Sequence, residues 1–348
     1  MDVINPKTLF EKYESKTPDF FFIVCNSKND TRLHKDYETY SIQTEFLSDI
    51  EVEELMLMAK MQKLPFDIFY SEEEFIKNIF LHYEVLANKN IVVYNSAQNG
   101  TGAGRKSLIP AFCNLMGIRC TGSDSYRVSL CRDKFAINSI LKANNIKVPN
   151  SVLFNPNKYS FSVFSNDQTI IAKPLYESAS IGITEDNIFC PNNVPIDYLT
   201  RLSDSLKQSL LLQEFIEGYE IEVPLIIHEE TIFCFDPVVL FLDKTEMFMG
   251  ENILNYEKIY NDSYCFGDLP KEYEKYIDKI KKTAAEVTQL IGLNGLCRVD
   301  GRLTKKGEFF ITDVSTNPHF IKHSSVNYAF SKLGYTDKEL FKMILMLC

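Results

Sequence analysis

At 348 residues and 45% hydrophobic content, the chain can bury a sizeable core and exceeds the usual size of one domain, so two or three packed subdomains are expected. The 37 Lys and Arg against 47 Asp and Glu leave a net charge of -10, which argues against general attraction to nucleic acid or an anionic membrane; an anionic substrate needs a local basic pocket. Nine cysteines without a CxxC pair read as free thiols of a reducing cytoplasm, and no stretch has the apolar length of a signal peptide or membrane span, so a soluble cytoplasmic protein is expected.

Asp19 to Cys25 (DFFFIVC), Phe66 to Tyr70 and Asn90 to Tyr94 read as buried strands. Between the last two, Ser71 followed by Glu74 fits a capping box that opens the amphipathic helix SEEEFIKNIFLHYEVLA. Strands alternating with helices predict an α/β unit with a mainly parallel sheet, extending to about Cys120.

Residues 99 to 107, NGTGAGRKS, come close to a Walker A loop, but Arg105 stands where glycine must let the backbone approach phosphate. A glycine-rich turn before a helix is still an anion site, and Arg105 and Lys106 strengthen it. Two readings stand: a loop that binds a carboxylate or phosphate of a donor substrate, and a loop whose basic residues face solvent. The histidines His34, His82, His228, His319 and His323 have no paired ligand spacing, so zinc is not expected.

The region from about 121 to 212 opens with a polar turn and the helix LCRDKFAINSILKANN, then gives short strands near Val152 and from Thr169 to Lys173. Lys173-Pro174 ends an apolar strand and precedes a loop of small polar residues; a lysine there sits at a cleft edge, and such a loop offers backbone N–H groups to phosphate. Residues 213 to 348 hold long strands (EIEVPLIIH, TIFCFDPVVLF), one helix from about Pro270 to Ile291, and a hairpin. Asp243 to Leu269 has little periodicity and reads as a long surface loop of the kind that forms lids; its acidic stretch Glu251 to Glu257 reads as solvated.

The hairpin GLCRVDGRLTKKGEFFITDVSTNP is the most informative stretch. A two-residue turn at Lys306-Gly307 sets Asp300 opposite Asp313 and Arg298 opposite Ser315, all on one face. Opposed carboxylates sit roughly 5 Å apart and repel unless a cation lies between them, and an oxygen-rich pair suits magnesium. The alternative is a surface hairpin with solvated acids.

Six segments, TGSDSYRVSLCRDK, IIAKPLYESASIGIT, LLQEFIEGYEIEVPL, GLCRVDGRL, FFITDVSTNP and IKHSSV, occur in an order that resembles the ATP-grasp superfamily, in particular its D-alanine–D-alanine ligase branch. The resemblance implies an ATP-grasp fold, α/β with α+β character in the C-terminal half, divided as a Rossmann-like pre-ATP-grasp domain (1–120), a central subdomain (121–212) and a C-terminal subdomain (213–348). It implies a ligase that joins a small carboxylate to an amine through an acyl-phosphate, using ATP and Mg2+ (or Mn2+), with a homodimer as the usual assembly. Lys134 and Lys173 become phosphate-contacting lysines. Gln213, Glu214 and Ile216 become the adenine hinge, and Glu220 the ribose carboxylate. Asp300 and Asp313 become metal ligands, with Ser315 or Asn317 as a third; Arg298 steadies the transferred phosphoryl group, and Ser180 lies in the phosphate loop. Tyr260 matches a lid tyrosine, and His323 and Ser324 match a pair near the acceptor's carboxylate. The chain departs from the branch at Ser315, where an amide is usual, and at Ala179, where a serine is usual. Its N-terminal region also lacks the branch's histidine-glycine and glutamate-aspartate motifs. These departures point to a donor other than D-alanine; a D-alanine–D-alanine ligase with an unusual N-terminus and an ATP-binding regulatory protein are the alternatives.

Overall fold

The computed structural model describes residues 17–29, 36–37, 39–156, 159–242, 246–250 and 252–348, with Thr8 and Glu11. Most of the first 16 residues, read above for a leader, together with His34, Asp243 and Glu251, lie outside the described residues.

The N-terminal alternation of strands and helices is present. β1 (Phe20–Val24) is followed by α1 (Asp49–Met61), β2 (Phe66–Phe69), α2 (Glu72–Leu86), β3 (Ile91–Asn95), α3 (Leu108–Met116) and β4 (Arg119–Cys120). Ser48 starts α1 with a reciprocal capping box to Glu51, and the Ser71 hydroxyl accepts from Glu74 N at 3.2 Å to start α2. The strands form a parallel sheet in the order β2-β1-β3-β4. Because successive side chains point to opposite faces, Phe21 and Ile23 join Leu55 and Met58 of α1, while Phe22 and Val24 join Phe75 of α2 and Phe112 of α3.

α4 (Ser125–Arg132) and α5 (Lys134–Ala143) meet at Asp133, whose carboxylate accepts from Phe135 N and Ala136 N and so caps α5. β5 (Ser151–Phe154), β6 (Ile170–Pro174), β7 (Ile188–Phe189), α6 (Ile196–Leu206) and β8 (Leu210–Glu214) follow, with an antiparallel sheet in the order β5-β8-β6-β7. Leu199, Leu202 and Leu206 of α6 pack on Ile170, Ala172 and Leu212.

The third sheet takes β9 (Tyr219–His228), β10 (Thr231–Cys234) and β11 (Val238–Leu242), then, after α7 (Tyr256–Tyr260), β12 (Tyr264–Asp268). α8 (Ile277–Ile291) precedes β13 (Gly295–Leu303) and β14 (Phe309–Ser315), giving the order β12-β11-β9-β13-β14 with β10 paired to β9. Ile280, Ala284 and Val287 of α8 cover Ile221, Val223 and Val299, so one face of this sheet is apolar. The helix expected from Pro270 opens as a 3-10 turn over Lys271–Tyr276, a common way for a helix to begin. The loop expected from Asp243 to Leu269 is partly regular. β12 pairs with β11 from Leu242↔Tyr264 to Val238↔Asp268, bonds to a distant strand that local periodicity does not register.

The last helices, α9 (Ser325–Lys332) and α10 (Asp337–Met346), return to the first sheet, where Phe341 packs 5.8 Å from Phe21 and 5.6 Å from Tyr94. A parallel sheet needs both faces covered, and α1 shares this one with α10. The end of the chain thereby ties the third sheet to the first.

Candidate active site

The hairpin brings Asp300 opposite Asp313 and Arg298 opposite Ser315, as the sequence indicates, but by a different route. The connection is a three-residue loop, Lys305 to Gly307, closed by Thr304 N to Glu308 O at 2.9 Å and by Gly307 at φ 76°, a value that favours glycine. That loop offsets the register by one from the expected two-residue turn, pairing Leu303 with Phe309 and Gly301 with Ile311. An irregularity after Asp300, with Thr312 as the extra residue on β14, restores it. Two deviations cancel, and the carboxylates meet.

The face of this sheet away from α8 is charged. Asp300 is registered with Glu222 and Arg302 with Glu220 on β9. Arg298 donates through Nε and Nη2 to both oxygens of Asp300, at 2.7 and 2.8 Å, and places Nη1 3.0 Å from Glu222. Burial pushes the Asp300 carboxyl up to about 7, opposed by Arg298 and reinforced by Glu222 and Asp313; Glu222 is raised as well, first by burial. Burial is the larger cause in both, and the acids Asp300, Glu222 and Asp313 grouped here form a patch of negative charge that a divalent cation would relieve. Asp300, Asp313 and the Ser315 hydroxyl form an oxygen donor set of the kind magnesium takes, so the residues present fit the ion the family implies.

The second sheet supplies the cavity's opposite wall. Lys173 Nζ donates to Gln213 Oε1 at 2.9 Å, and Lys134, the first residue of α5, donates to Glu177 O at 2.5 Å. Burial brings the Lys173 ammonium down to about 8, against the pull of Glu220 and Asp313. Gln213 is buried with its Nε2 unpartnered, and Ile216 leaves its backbone N–H without a partner among the described residues. Glu214 is held from Asn150, which sets the hinge in place. Ser180, at φ 53°, donates from Oγ to Leu254 O at 2.6 Å, and Tyr256 N bonds Ile183 O at 3.0 Å, so the segment before α7 rests on the loop that follows β6.

Tyr260 lines the cavity from α7, and His323 stacks on Tyr264 at 4.8 Å with Nδ1 2.6 Å from Asp262. The Ser324 hydroxyl caps α9 by accepting from Asn327 N at 3.1 Å, setting that helix start at the cavity wall. Asn317 also lines the cavity, but its Nδ2 donates to Asn95 O at 2.5 Å and ties β14 to the first sheet.

One cavity of about 750 Å³ is lined by Asp300, Asp313, Lys134, Lys173, Gln213 and His323, and equally by Arg298, Ser180, Tyr260, Glu214, Ile216, Glu220, Ser315, Asn317, Ser324 and Lys106. Arg105 is the exception. Its guanidinium is buried against Glu45, Glu177 and Gly100 O and does not line the cavity, so the contact with substrate expected of it is replaced by an inward structural role.

Residues 159–346, more than half of the chain, match the family model described as "D-ala D-ala ligase C-terminus". The chain belongs to the D-alanine–D-alanine ligase family. Among relatives, the D-alanine–D-alanine ligase of Carboxydothermus hydrogenoformans is 28% identical over 276 residues, covering 76% of this chain and 83% of that protein. That of Thermotoga petrophila is 24% identical over 287 residues, covering 82% and 88%. Among solved structures, the Bacillus anthracis D-alanine–D-alanine ligase complexed with ATP superposes with a TM-score of 0.66 at 14% identity, covering 94% of this chain and 96% of that one. The VanG D-Ala:D-Ser ligase of Enterococcus faecalis does so at 0.63 and 17%, covering 94% and 98%. The ATP-grasp fold and an ATP-dependent, ADP-forming ligase that makes C–N bonds therefore stand as read from the sequence.

Against that family background, five charged residues at or beside the site were given no role by the sequence reading: Glu45, Glu177, Arg132, Glu222 and Arg302. Arg302 donates through Nε to Glu220 at 2.5 Å and through its Nη atoms to the carbonyls of Gly218, Gly250 and Asn252, with its guanidinium 5.2 Å from the Phe215 ring. It lies two residues past Asp300 on the same strand, so strand alternation alone could have found it. Glu45 carries no such signal, since it reaches the site from a 3-10 turn between β1 and α1.

Proposed function

We propose that the cavity binds ATP between the second and third sheets, transfers its terminal phosphoryl group to a small carboxylic acid, and joins the acyl-phosphate to an amine. One observation carries this reading: the Asp300–Asp313 pair, Lys134, Lys173 and the hinge around Gln213 line a single cavity. The free Gln213 Nε2 and Ile216 N–H are donors suited to the nucleotide, with Glu220 at the ribose. Lys134 and Lys173 meet the phosphates, and Ser180 orders their loop.

Asp300, Asp313 and Ser315 would hold magnesium or manganese, Ser315 lying two residues past Asp313 on the same strand; the Asn317 oxygen is the other candidate, since its contact with Asn95 uses only Nδ2. When bound, the ion neutralises phosphoryl oxygens and polarises the transferred group. An oxygen of the acid attacks the terminal phosphorus as the bond to ADP's bridging oxygen breaks, and Arg298, Lys134 and Lys173 offset the charge. The amine then attacks the acyl carbon, forming the C–N bond, releasing phosphate and losing a proton. Tyr260 and the lid exclude water from the acyl-phosphate, while His323 and the start of α9 receive the acceptor's carboxylate.

D-alanine as both substrates is the second reading, favoured by the names of the relatives. Release of ADP across a panel of acid–amine pairs, with products read by mass spectrometry, tests both: turnover with D-alanine alone selects the second, and absence of ADP release with every pair defeats both. Free cysteines throughout the chain support a cytoplasmic location, and among the described residues no helix is long and apolar enough to cross a membrane. A homodimer is proposed from the family habit and from apolar residues such as Phe80, Leu81 and Leu115, exposed on α2 and α3; sedimentation measures it directly.

A further inference from the structure

Beside the first sheet, the cavity borders a buried charge cluster to which the proposed transfer of the phosphoryl group assigns no part. Arg105 and Arg132 approach both Glu45 and Glu177, with Arg105 3.0 Å from Glu177 and Arg132 3.4 and 3.5 Å from the two acids; Lys106 lies 3.1 Å from Glu45. Among the described residues, three cations thus face two carboxylates. Both oxygens of Glu177 are filled, and Glu45 is crowded at Oε1 while its Oε2 is held by Lys106. Glu177 also accepts from Tyr37 Oη at 2.6 Å and Gln208 Nε2 at 3.1 Å, and Ser178 N points to Glu45 at 3.4 Å.

Among the described residues, an α-ammonium group brought here meets a surplus of positive charge and would have to compete with Lys106 for Glu45. The unfilled capacity is of the opposite kind. Arg132 is buried at 6% exposure, lines the cavity and has its Nε–H without a partner among the described residues, and the Lys106 side chain, 22% exposed, lines the same wall. A buried donor without an acceptor costs roughly 1–3 kcal/mol, so this wall is short of acceptors and its net charge favours an anion. The cluster joins the phosphoryl site directly: Arg132 Nη1 donates to Ser178 Oγ at 3.1 Å, and Lys134 donates to the carbonyl of Glu177 next door. A small acid with one carboxylate at the proposed phosphoryl site would extend toward Lys106 and Arg132, which line the same cavity.

We infer that the donor is an acid carrying a second carboxylate, held by Lys106 and Arg132, in place of a monocarboxylic amino acid held by its ammonium. This rests on the ligase reading above. Its test uses the full chain with ATP and magnesium, and hydroxylamine as the amine, which traps an acyl-phosphate as a coloured hydroxamate. The donors compared are succinate, glutarate, aspartate and glutamate in both hand forms, D-alanine and propionate.

The expected result is hydroxamate and ADP from one or more of the dicarboxylates and little from D-alanine or propionate. Lys106→Gln should raise the KM for that acid about tenfold or more, as for a lost charge-assisted hydrogen bond, with Lys106→Arg restoring it. The KM for ATP should stay within about twofold, since uniform binding of the acid alone is lost. Hydroxamate from D-alanine and not from any dicarboxylate overturns the inference and leaves the ligase reading intact; none from any acid overturns both. The wild-type panel decides the matter even if Lys106→Gln is too unstable to assay.

Discussion

At the scale of single residues, Asp300 and Arg302 illustrate how one strand face sorts its charges. Asp300 is paired with Arg298 yet still pushed up by burial and by Glu222, whereas Arg302 is satisfied on all sides by Glu220 and three carbonyls. Asp313→Asn is expected to lower kcat roughly 100-fold or more, the size seen when one element of charge stabilisation is removed, and to shift the magnesium dependence of ADP release to higher concentration. Arg302→Met frees Glu220 and uncouples it from the lid carbonyls. Its expected signature is an ATP KM raised roughly tenfold, with the KM for the acid moving much less, measured by initial rates at varied ATP.

Among the elements, α1 carries a pH signature of its own. Burial pushes the Glu51 carboxyl up, but the contact with His319 and the two hydrogen bonds from Ser48 outweigh it and bring it down to about 2. A lowered folded-state value stabilises above the ordinary value of 4.5 and loses that contribution as pH falls toward 2. Glu51→Gln is therefore expected to be less stable than the parent at pH 7, with the gap closing as pH falls from 4.5, followed by urea unfolding. Ser48→Ala removes the same cap and is expected to cost about 1 kcal/mol at neutral pH. In the hairpin, Thr304 to Gly307 and the extra residue Thr312 shift the register in opposite senses. The meeting of Asp300 and Asp313 was thus legible from alternation and spacing, while the turn and the compensating irregularity were not, because each depends on backbone hydrogen bonds that side-chain pattern does not encode.

For the molecule as a whole, residues lining the cavity come from all three sheets, and the segment proposed as a lid is tied to two of them, by Ser180 and Ile183 from the second and through β12 to the third. A nucleotide that binds the folded chain alone raises its stability by mass action, about 2.7 kcal/mol at a hundredfold excess over Kd, so ATP with magnesium is expected to raise Tm by several degrees in a thermal shift assay. Amide exchange across residues 252–268 should slow in the same sample. An unchanged exchange pattern there would remove the segment from the role of lid.

By itself the sequence determined the strands, the capped helices, the order of the ATP-grasp segments and the facing acids, since these follow from periodicity, caps and spacing within short windows. Only the tertiary structure decided where Glu45, Glu177, Arg105 and Arg132 go, that Arg105 turns inward, and that α10 closes the face of the first sheet. Those arrangements join residues far apart in the chain through burial and charge pairing. Their energies exist only once distant surfaces have been brought together and water has left between them.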